Sequence, residues 1–407
     1  MNSAASCHEI VGAPGIYIDA FRASFAEKRQ NPANAFILTH YHGDHYSGLP
    51  KENKYQGPAR IHCTSVTASL LREVHEVDPK FVVEHDYDET WEVPLVLSDN
   101  TCKDSNSHGN GNGNGNGNGN GDRGNTQQQI ARVTFLDANH CPGAAIVFIE
   151  LSDGVCHLHT GDMRYHEKMK TYPLLQQASR SKKLDLLYLD TTYGHPKHNF
   201  DRQDVAVDKL ASQVEELLGK ERKDTGDTLV LLSCYSIGKE KVLYESSLRS
   251  NQQLYVSEKK FKMLKCVRNP QQEKDISSRI VERCTQDPAQ SELHIIPMGI
   301  AGEMWPYFVA NFNACADYAL ELEHRHYQKV VAFMPTGWAM ASNWNKKNSI
   351  STQQIKRGDR TFDIEVRLIS YSEHSAFPEL YNFVEFLVSL QHVAFLCFPL
   401  SSTYFPL

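Results

Sequence analysis

Apolar positions come in short runs through the first part of the chain, broken by turn residues. Residues 15–19 and 35–38 are compact apolar stretches of strand length, too short for a buried helix. Residues 65–74 carry helical spacing behind a Ser/Thr cap. Residues 80–83, 91–97, 130–136 and 184–189 read as further strands. Ser152-Asp-Gly154 is a hairpin signal between apolar runs at 145–151 and 155–159.

Two breaks divide this pattern. Gly and Asn alternate without interruption over 109–121, which cannot bury apolar area, so 99–129 reads as a disordered insertion between two strands. From residue 194 helices and strands alternate: helix 202–218, strand 228–233, helix 239–248, strand 253–256, helix 258–266, then strands 293–297 and 330–333. That order predicts an α/β unit with a mostly parallel sheet. The expected organisation is a first domain over 12–193, an inserted domain over 194–348, and a return over 349–390 through strand 360–370 and helix 378–390. A tail follows at 391–407.

Composition narrows the class. At 407 residues there is room for two or three domains, or for one core with an insertion. No apolar run reaches the ~18 residues of a membrane-spanning helix. Residues 1–12 lack the basic-then-apolar layout of a signal peptide. Ten cysteines with no C-x-x-C pair fit a reducing compartment with buried thiols. The net charge of −7 excludes a uniformly basic chain but leaves room for local basic stripes, at 180–183, 239–241 and 259–268. Each stripe alone fits a solvated face as well as a nucleic-acid contact.

Candidate chemistry concentrates in Phe36-Ile-Leu-Thr-His-Tyr-His-Gly-Asp-His-Tyr46. His40, His42, Asp44 and His45 follow a buried strand, and Gly43 lets the chain turn so that they converge. Such side chains at a strand end call for a metal. His140, Asp162 and His374 each follow a predicted strand and can reach the same rim. A packed loop histidine, a turn aspartate and a helix-cap neighbour are their alternative readings. Ser236-Ile-Gly238-Lys239 leaves a strand and opens a helix, a candidate phosphate seat of backbone N–H groups and a lysine. It lacks the spacing of a P-loop. Ser372 and Ser375 flank His374 and are candidates for the same phosphate. Tyr235 and Trp338 suit either base stacking or the core.

Taken in order, these motifs form one pattern. Gly15–Asp19, the H-x-H-x-D-H cluster, Ala138-Asn-His-Cys-Pro-Gly143, His159-Thr-Gly-Asp162 and Leu187-Tyr-Leu-Asp-Thr-Thr-Tyr193 come first. Cys234-Tyr-Ser-Ile-Gly-Lys-Glu-Lys241, Pro335-Thr-Gly-Trp338 and Tyr371-Ser-Glu-His-Ser375 follow. The pattern closely resembles the DNA-repair branch of the β-CASP metallo-β-lactamases, the DNA cross-link repair nucleases that include Apollo and Artemis. The resemblance implies an α/β protein: a four-layer metallo-β-lactamase αββα sandwich with an inserted α/β β-CASP domain. It implies two zinc ions, with His40, His42 and His140 at the first site, and Asp44, His45 and His374 at the second. Asp162 bridges them. Nitrogen and carboxylate donors suit zinc.

Asp44, Asp162, Asp190 and Asp19 would then form the acidic catalytic set. Asp19 holds a ligand ring or makes a strand-end turn; Asp190 orients a ligand or water, or assists the 3′-oxygen leaving group. The implied function is a zinc-dependent 5′-to-3′ DNA exonuclease in interstrand cross-link repair, with DNA as partner and the nucleus as location. An Artemis-like structure-specific endonuclease, an RNA-processing relative and a catalytically impaired DNA-end-binding scaffold are the rivals. Residues 391–407 depart from the family's closing strand, so an altered or truncated tail is expected, and a missing last strand would leave one sheet edge exposed.

Overall fold

The computed structural model describes residues 8–22, 24, 29, 31–95, 129–181, 184–220, 227–267, 276–303, 308–323, 325–337 and 350–388, with the backbone of 394–398. The Gly/Asn repeat, Trp338, Lys182, Lys183 and Arg268 lie outside them.

Two sheets face each other in the first domain. β1 (Ile16–Ile18), β2 (Ala35–Ile37), β3 (Arg60–Thr64) and β4 (Val82–His85) pair in parallel in that order. β5 (Thr90–Pro94), β6 (Ile130–Asp137), β7 (Ala145–Leu151) and β8 (Cys156–His159) form an antiparallel meander, and β9 (Leu186–Asp190) joins β8 in parallel. Side chains alternate between faces. Ile16, Ile18 and Ile37 therefore meet Phe135, Val147 and Ile149 in one apolar layer between the sheets. Tyr17, Phe36 and Ile61 turn the other way, into a cluster that includes Leu70 and Leu71 of helix Ser65–Glu73. Phe148, Leu158 and Leu187 do the same on the far side, with Leu175 of helix Pro173–Ser181 and Phe383 of helix Phe377–Val388. The layers are those of an αββα sandwich.

The capping signal at the first helix holds: the Thr64 side chain accepts from the Thr67 N–H. The strand expected from residue 80 starts later. Asp78 caps a single 3-10 turn, Pro79–Phe81, before β4 begins. β3 and helices Pro173–Ser181 and Phe312–Leu320 were not legible from apolar spacing.

The second domain is built on β10 (Thr228–Cys234), β11 (Leu254–Tyr255), β12 (Cys284–Thr285), β13 (Leu293–Pro297), β16 (Lys329–Thr336), β17 (Ile350–Arg357) and β18 (Arg360–Ser370), in the order β12-β11-β13-β10-β16-β18-β17. β14 (Gly302–Glu303) and β15 (Val309–Ala310) form a separate small ribbon. Every residue of β10 is buried, as helices on both faces require. Val230 and Leu232 share a cluster with Leu210 and Val214 of helix Gln203–Leu218, while Leu229 and Leu231 pack with Cys315 and Ala316.

Two expectations change here. Residues 360–370 do not return to the first domain. β18 runs parallel to β16, with Lys329 opposite Asp363 and Thr336 opposite Ser370, and pairs antiparallel with β17 across Gly358 at φ +60°. An alternating strand fits either sheet by pattern, and pairing alone chooses. The chain thus re-enters the first domain only after Ser370. The edge beyond β9 is also covered. β19 (Ala394–Phe398) lies parallel to β9, with Ala394 opposite Leu186 and Phe398 opposite Asp190. The tail departs from the family motif in sequence yet supplies the strand. Among the described residues no helix is long and apolar enough to cross a membrane.

Candidate metal centre

The C-terminal ends of β10 and β18 open toward the rim of the first domain where β2, β6 and β8 end. Five histidines and Asp162 converge there. His42 Nδ1 stands 3.0 Å from His40 Nε2 and 3.1 Å from His140 Nε2. Asp162 Oδ2 is the hub of the group, 3.3 Å from His45 Nε2, 3.6 Å from His40 Nε2 and His140 Nε2, and 3.8 Å from His374 Nε2. Asp44 stands apart: its side chain is 53% exposed, with Oδ2 3.8 Å from His45 Nε2.

Each ring is turned by its outer nitrogen. His45 Nδ1 meets Asp19 Oδ2 at 2.6 Å, and His374 Nδ1 meets Asp190 Oδ2 at 2.9 Å. The Thr39 hydroxyl donates to Asp19 at 2.7 Å, which leaves its lone pair for His40 Nδ1 at 3.0 Å. His140 Nδ1 donates to the Glu373 carbonyl at 2.8 Å and His42 Nε2 to the Ile237 carbonyl at 3.2 Å. In the neutral rings the nitrogens facing the cluster are therefore left as lone pairs.

Burial and charge split the set. Burial pushes His42 down to about 4 and holds His40 and His140 well below the usual imidazole range. Burial acts on His374 too, but Asp190 and Asp162 overcome it and raise the ring to about 9. Asp162 and Asp19 likewise lift His45 against its burial. Buried Asp19 and Asp190 are held below the carboxylate range, against their burial, chiefly by His45 and His374 respectively.

The arrangement fits metal ions. Buried Asp162 Oδ1 and His45 Nε2 have no hydrogen-bond partner among the described residues. Nitrogens at tetrahedral angles about 2.0–2.1 Å from zinc stand roughly 3.3 Å apart, close to the spacings around His42. Three groupings have converging donor atoms: His40, His42, His140 and Cys141; His40, His45 and Asp162; His140, Asp162 and His374. Cys141 is a residue the sequence reading passed over. Burial raises its thiol well above the ordinary value, which makes it the weakest donor there.

Both aspartates with two readings contact a candidate ligand ring. Asp19 adopts φ +51° and accepts from the Thr39 N–H, the Thr39 hydroxyl and His45, so it anchors the metal loop. Asp190 accepts from Met163 N–H, Thr192 N–H and His374. Its carboxylate thus faces the outer nitrogen of the His374 ring.

The expected phosphate seat is filled by the chain's own carboxylates. The Gly238 N–H donates to Glu240 Oε1 at 2.9 Å, and the Lys239 N–H donates to Glu373 Oε1. Lys239 is buried, with Nζ 4.4 Å from the Tyr235 ring centre. Lys260, one of a lysine stripe, is also turned inward and donates to the Ser236 carbonyl at 2.8 Å. Ser375 is buried between the Tyr165 N–H and the Met163 carbonyl, and Ser372 caps the His374 N–H. Both serines shape the ligand loop instead of facing solvent. Tyr235 is 57% exposed, so its core reading is excluded. Arg164, unmarked by any motif, is fully buried and donates to the carbonyls of Ser372 and His374 at 2.9 and 3.2 Å.

Comparison with known proteins adds a family match in sequence. Residues 278–394 match the family described as DNA repair metallo-beta-lactamase. The chain belongs to the DNA-repair metallo-β-lactamase family. It is 30% identical to the DNA cross-link repair protein SNM1 of Arabidopsis thaliana, over 91% of this chain and 61% of that protein. It is 29% identical to the human DNA cross-link repair 1A protein, over 92% of this chain and 29% of that one. Identity to the 5′ exonuclease Apollo of Gallus gallus is 25%, over 88% and 58%. The chain thus spans less than two thirds of each of these relatives. Within this DNA-repair metallo-β-lactamase fold, six of the seven expected ligands converge, and Asp44 stands at the exposed rim.

Proposed function

We propose that this chain is a zinc-dependent 5′-to-3′ DNA exonuclease of interstrand cross-link repair, acting on DNA in the nucleus. The observation that carries the reading is the Asp162 hub, one carboxylate oxygen within 3.8 Å of four imidazole nitrogens. His40, His42 and His140 would hold one ion, and His45, His374 and Asp44 the other, with Asp162 between them. Bound zinc supplies Lewis acidity toward a phosphodiester and lowers the pKa of water.

The chain's own residues do the remainder. Asp19 and Asp190 keep the rings of His45 and His374 aimed at the centre. Hydrolysis leaves a 3′-hydroxyl and a 5′-phosphate. The exposed Tyr235 ring offers a stacking face for a base beside the centre. Relatives named DNA cross-link repair protein and 5′ exonuclease support the substrate class and polarity.

A structure-specific endonuclease is the second reading, favoured by one observation. The N–H groups that a terminal phosphate would need are taken by Glu240 and Glu373. A digestion series with zinc on 5′-phosphorylated, 5′-hydroxyl and hairpin DNA separates the two. Degradation from the 5′-phosphate end, lost in His42→Ala, is the expected result; hairpin opening alone would favour the second reading. All three substrates left intact by the wild type as well as by His42→Ala would sink both.

A further inference from the structure

We propose that Glu373 is a positioning residue for the first metal site, acting through the loop that follows β10. The inference rests on the two-ion reading above. The ligand rings are oriented in two ways. His45 and His374 give their outer nitrogens to the carboxylates of Asp19 and Asp190. His42 and His140, both of the first site, instead use main-chain carbonyls, of Ile237 and Glu373. A carbonyl is only as well placed as the loop that carries it.

Loop 235–239 is pinned from three sides. Lys260 Nζ holds the Ser236 and Tyr235 carbonyls at 2.8 and 3.3 Å. Glu240 takes the Gly238 N–H, and Glu373 takes the Lys239 N–H. Glu373 therefore acts on both rings. Its carbonyl meets His140, and its carboxylate holds the loop two residues from Ile237, whose carbonyl meets His42.

Two further observations show how closely the parts are fitted. Lys239 sits at φ +65°, ψ 10°, a left-handed conformation unfavourable for a residue with a side chain. Such strain persists only where surrounding contacts hold it. Gly238 has φ +95°, and a Cβ there would come within 2.6 Å of Glu373 Oε2. The glycine gives the carboxylate its place.

The competing account is that Glu373 only neutralises buried Lys239 and Lys260. That role would lower stability and loosen both ions alike. The positioning role predicts a selective loss, because Asp19 and Asp190 still hold the rings of the other site.

The test uses the zinc-loaded full chain, with zinc retention followed under graded chelator competition alongside the melting temperature. Wild type should release two ions. Glu373→Ala should lose one of them at chelator concentrations about 10–100-fold lower, with the other unchanged. Glu373→Gln keeps an oxygen acceptor and should restore both. Gly238→Ala, which displaces an intact Glu373, should reproduce the selective loss and decides alone if Glu373→Ala does not fold. In a His374→Ala background, where the first site is the intact one, Glu373→Ala should remove the remaining tightly held ion. Equal loosening of both ions, or wild-type retention of both, overturns the proposal. A wild-type chain holding fewer than two ions refutes the two-ion reading instead.

Discussion

Asp19 Oδ2 lies 2.6 Å from His45 Nδ1, and the same oxygen takes the Thr39 hydroxyl at 2.7 Å. One buried carboxylate therefore turns two ligand rings, His45 directly and His40 through Thr39. Replacing it should cost metal before it costs fold. Asp19→Ala is expected to weaken zinc retention by about 10–100-fold, and nuclease activity with it. Zinc content after dialysis against chelator is the measurement. Wild-type retention would refute the role.

Acid should destabilise the protein through histidines outside the ligand set. Burial pushes His62 and His159 down to about 4 in the folded state. Unfolded, each takes up its proton near pH 6.5. Between those values the unfolded chain binds more protons, so stability rises with pH. It is fully present above about pH 6.5 and is lost as pH falls toward 4. Thermal melts of the chelator-treated protein across that window should show the fall. His62→Phe, which keeps a ring beside Trp91, should shallow it. An unchanged slope would count against His62.

Arg164 clamps the His374 loop to helix Phe377–Val388 by pairing with Glu379 at 2.9 Å while holding the Ser372 and His374 carbonyls. Arg164→Met leaves those groups unpaired and should cost on the order of 3–5 kcal/mol in denaturant melts. Adding Glu379→Gln should recover part of it. A loss below ~1 kcal/mol would show that solvent replaces the clamp, as at surface ion pairs.

Tyr235 is exposed beside the centre and bears no core load. Tyr235→Ala uncovers Lys239 Nζ, so it should lower the melting temperature slightly, and it should weaken single-stranded DNA binding by about 1–3 kcal/mol. Tyr235→Phe should bind like wild type, since stacking needs the ring and not the hydroxyl. Equal DNA affinity for the alanine variant would remove Tyr235 from the binding surface.

Much of the centre was legible because its chemistry is local. His40, His42 and His45 sit on one turn after a buried strand, and no apolar core accounts for three imidazoles there. His140, Asp162 and His374 were legible as residues that follow strands. The phosphate seat was less legible for a related reason. Ser236–Lys239 has the composition of an anion loop, but composition does not reveal that Glu240 and Glu373 already occupy its N–H groups. Nor did any spacing mark Arg164, whose partners lie more than 200 positions away at Ser372 and His374.

Residue type and order pointed to a metal-binding cluster and an α/β unit, and the resemblance of the motifs to a known family implied the αββα sandwich. Donor atoms and apolar periodicity are properties of the chain itself. Three matters waited for the fold: that β18 belongs to the second sheet, that Ala394–Phe398 closes the edge of the first domain, and that a carboxylate and a glycine from distant segments meet behind His42 and His140. Each depends on which backbone groups pair across space. An alternating strand, a loop N–H or a buried glutamate has the same local pattern whichever partner it finds.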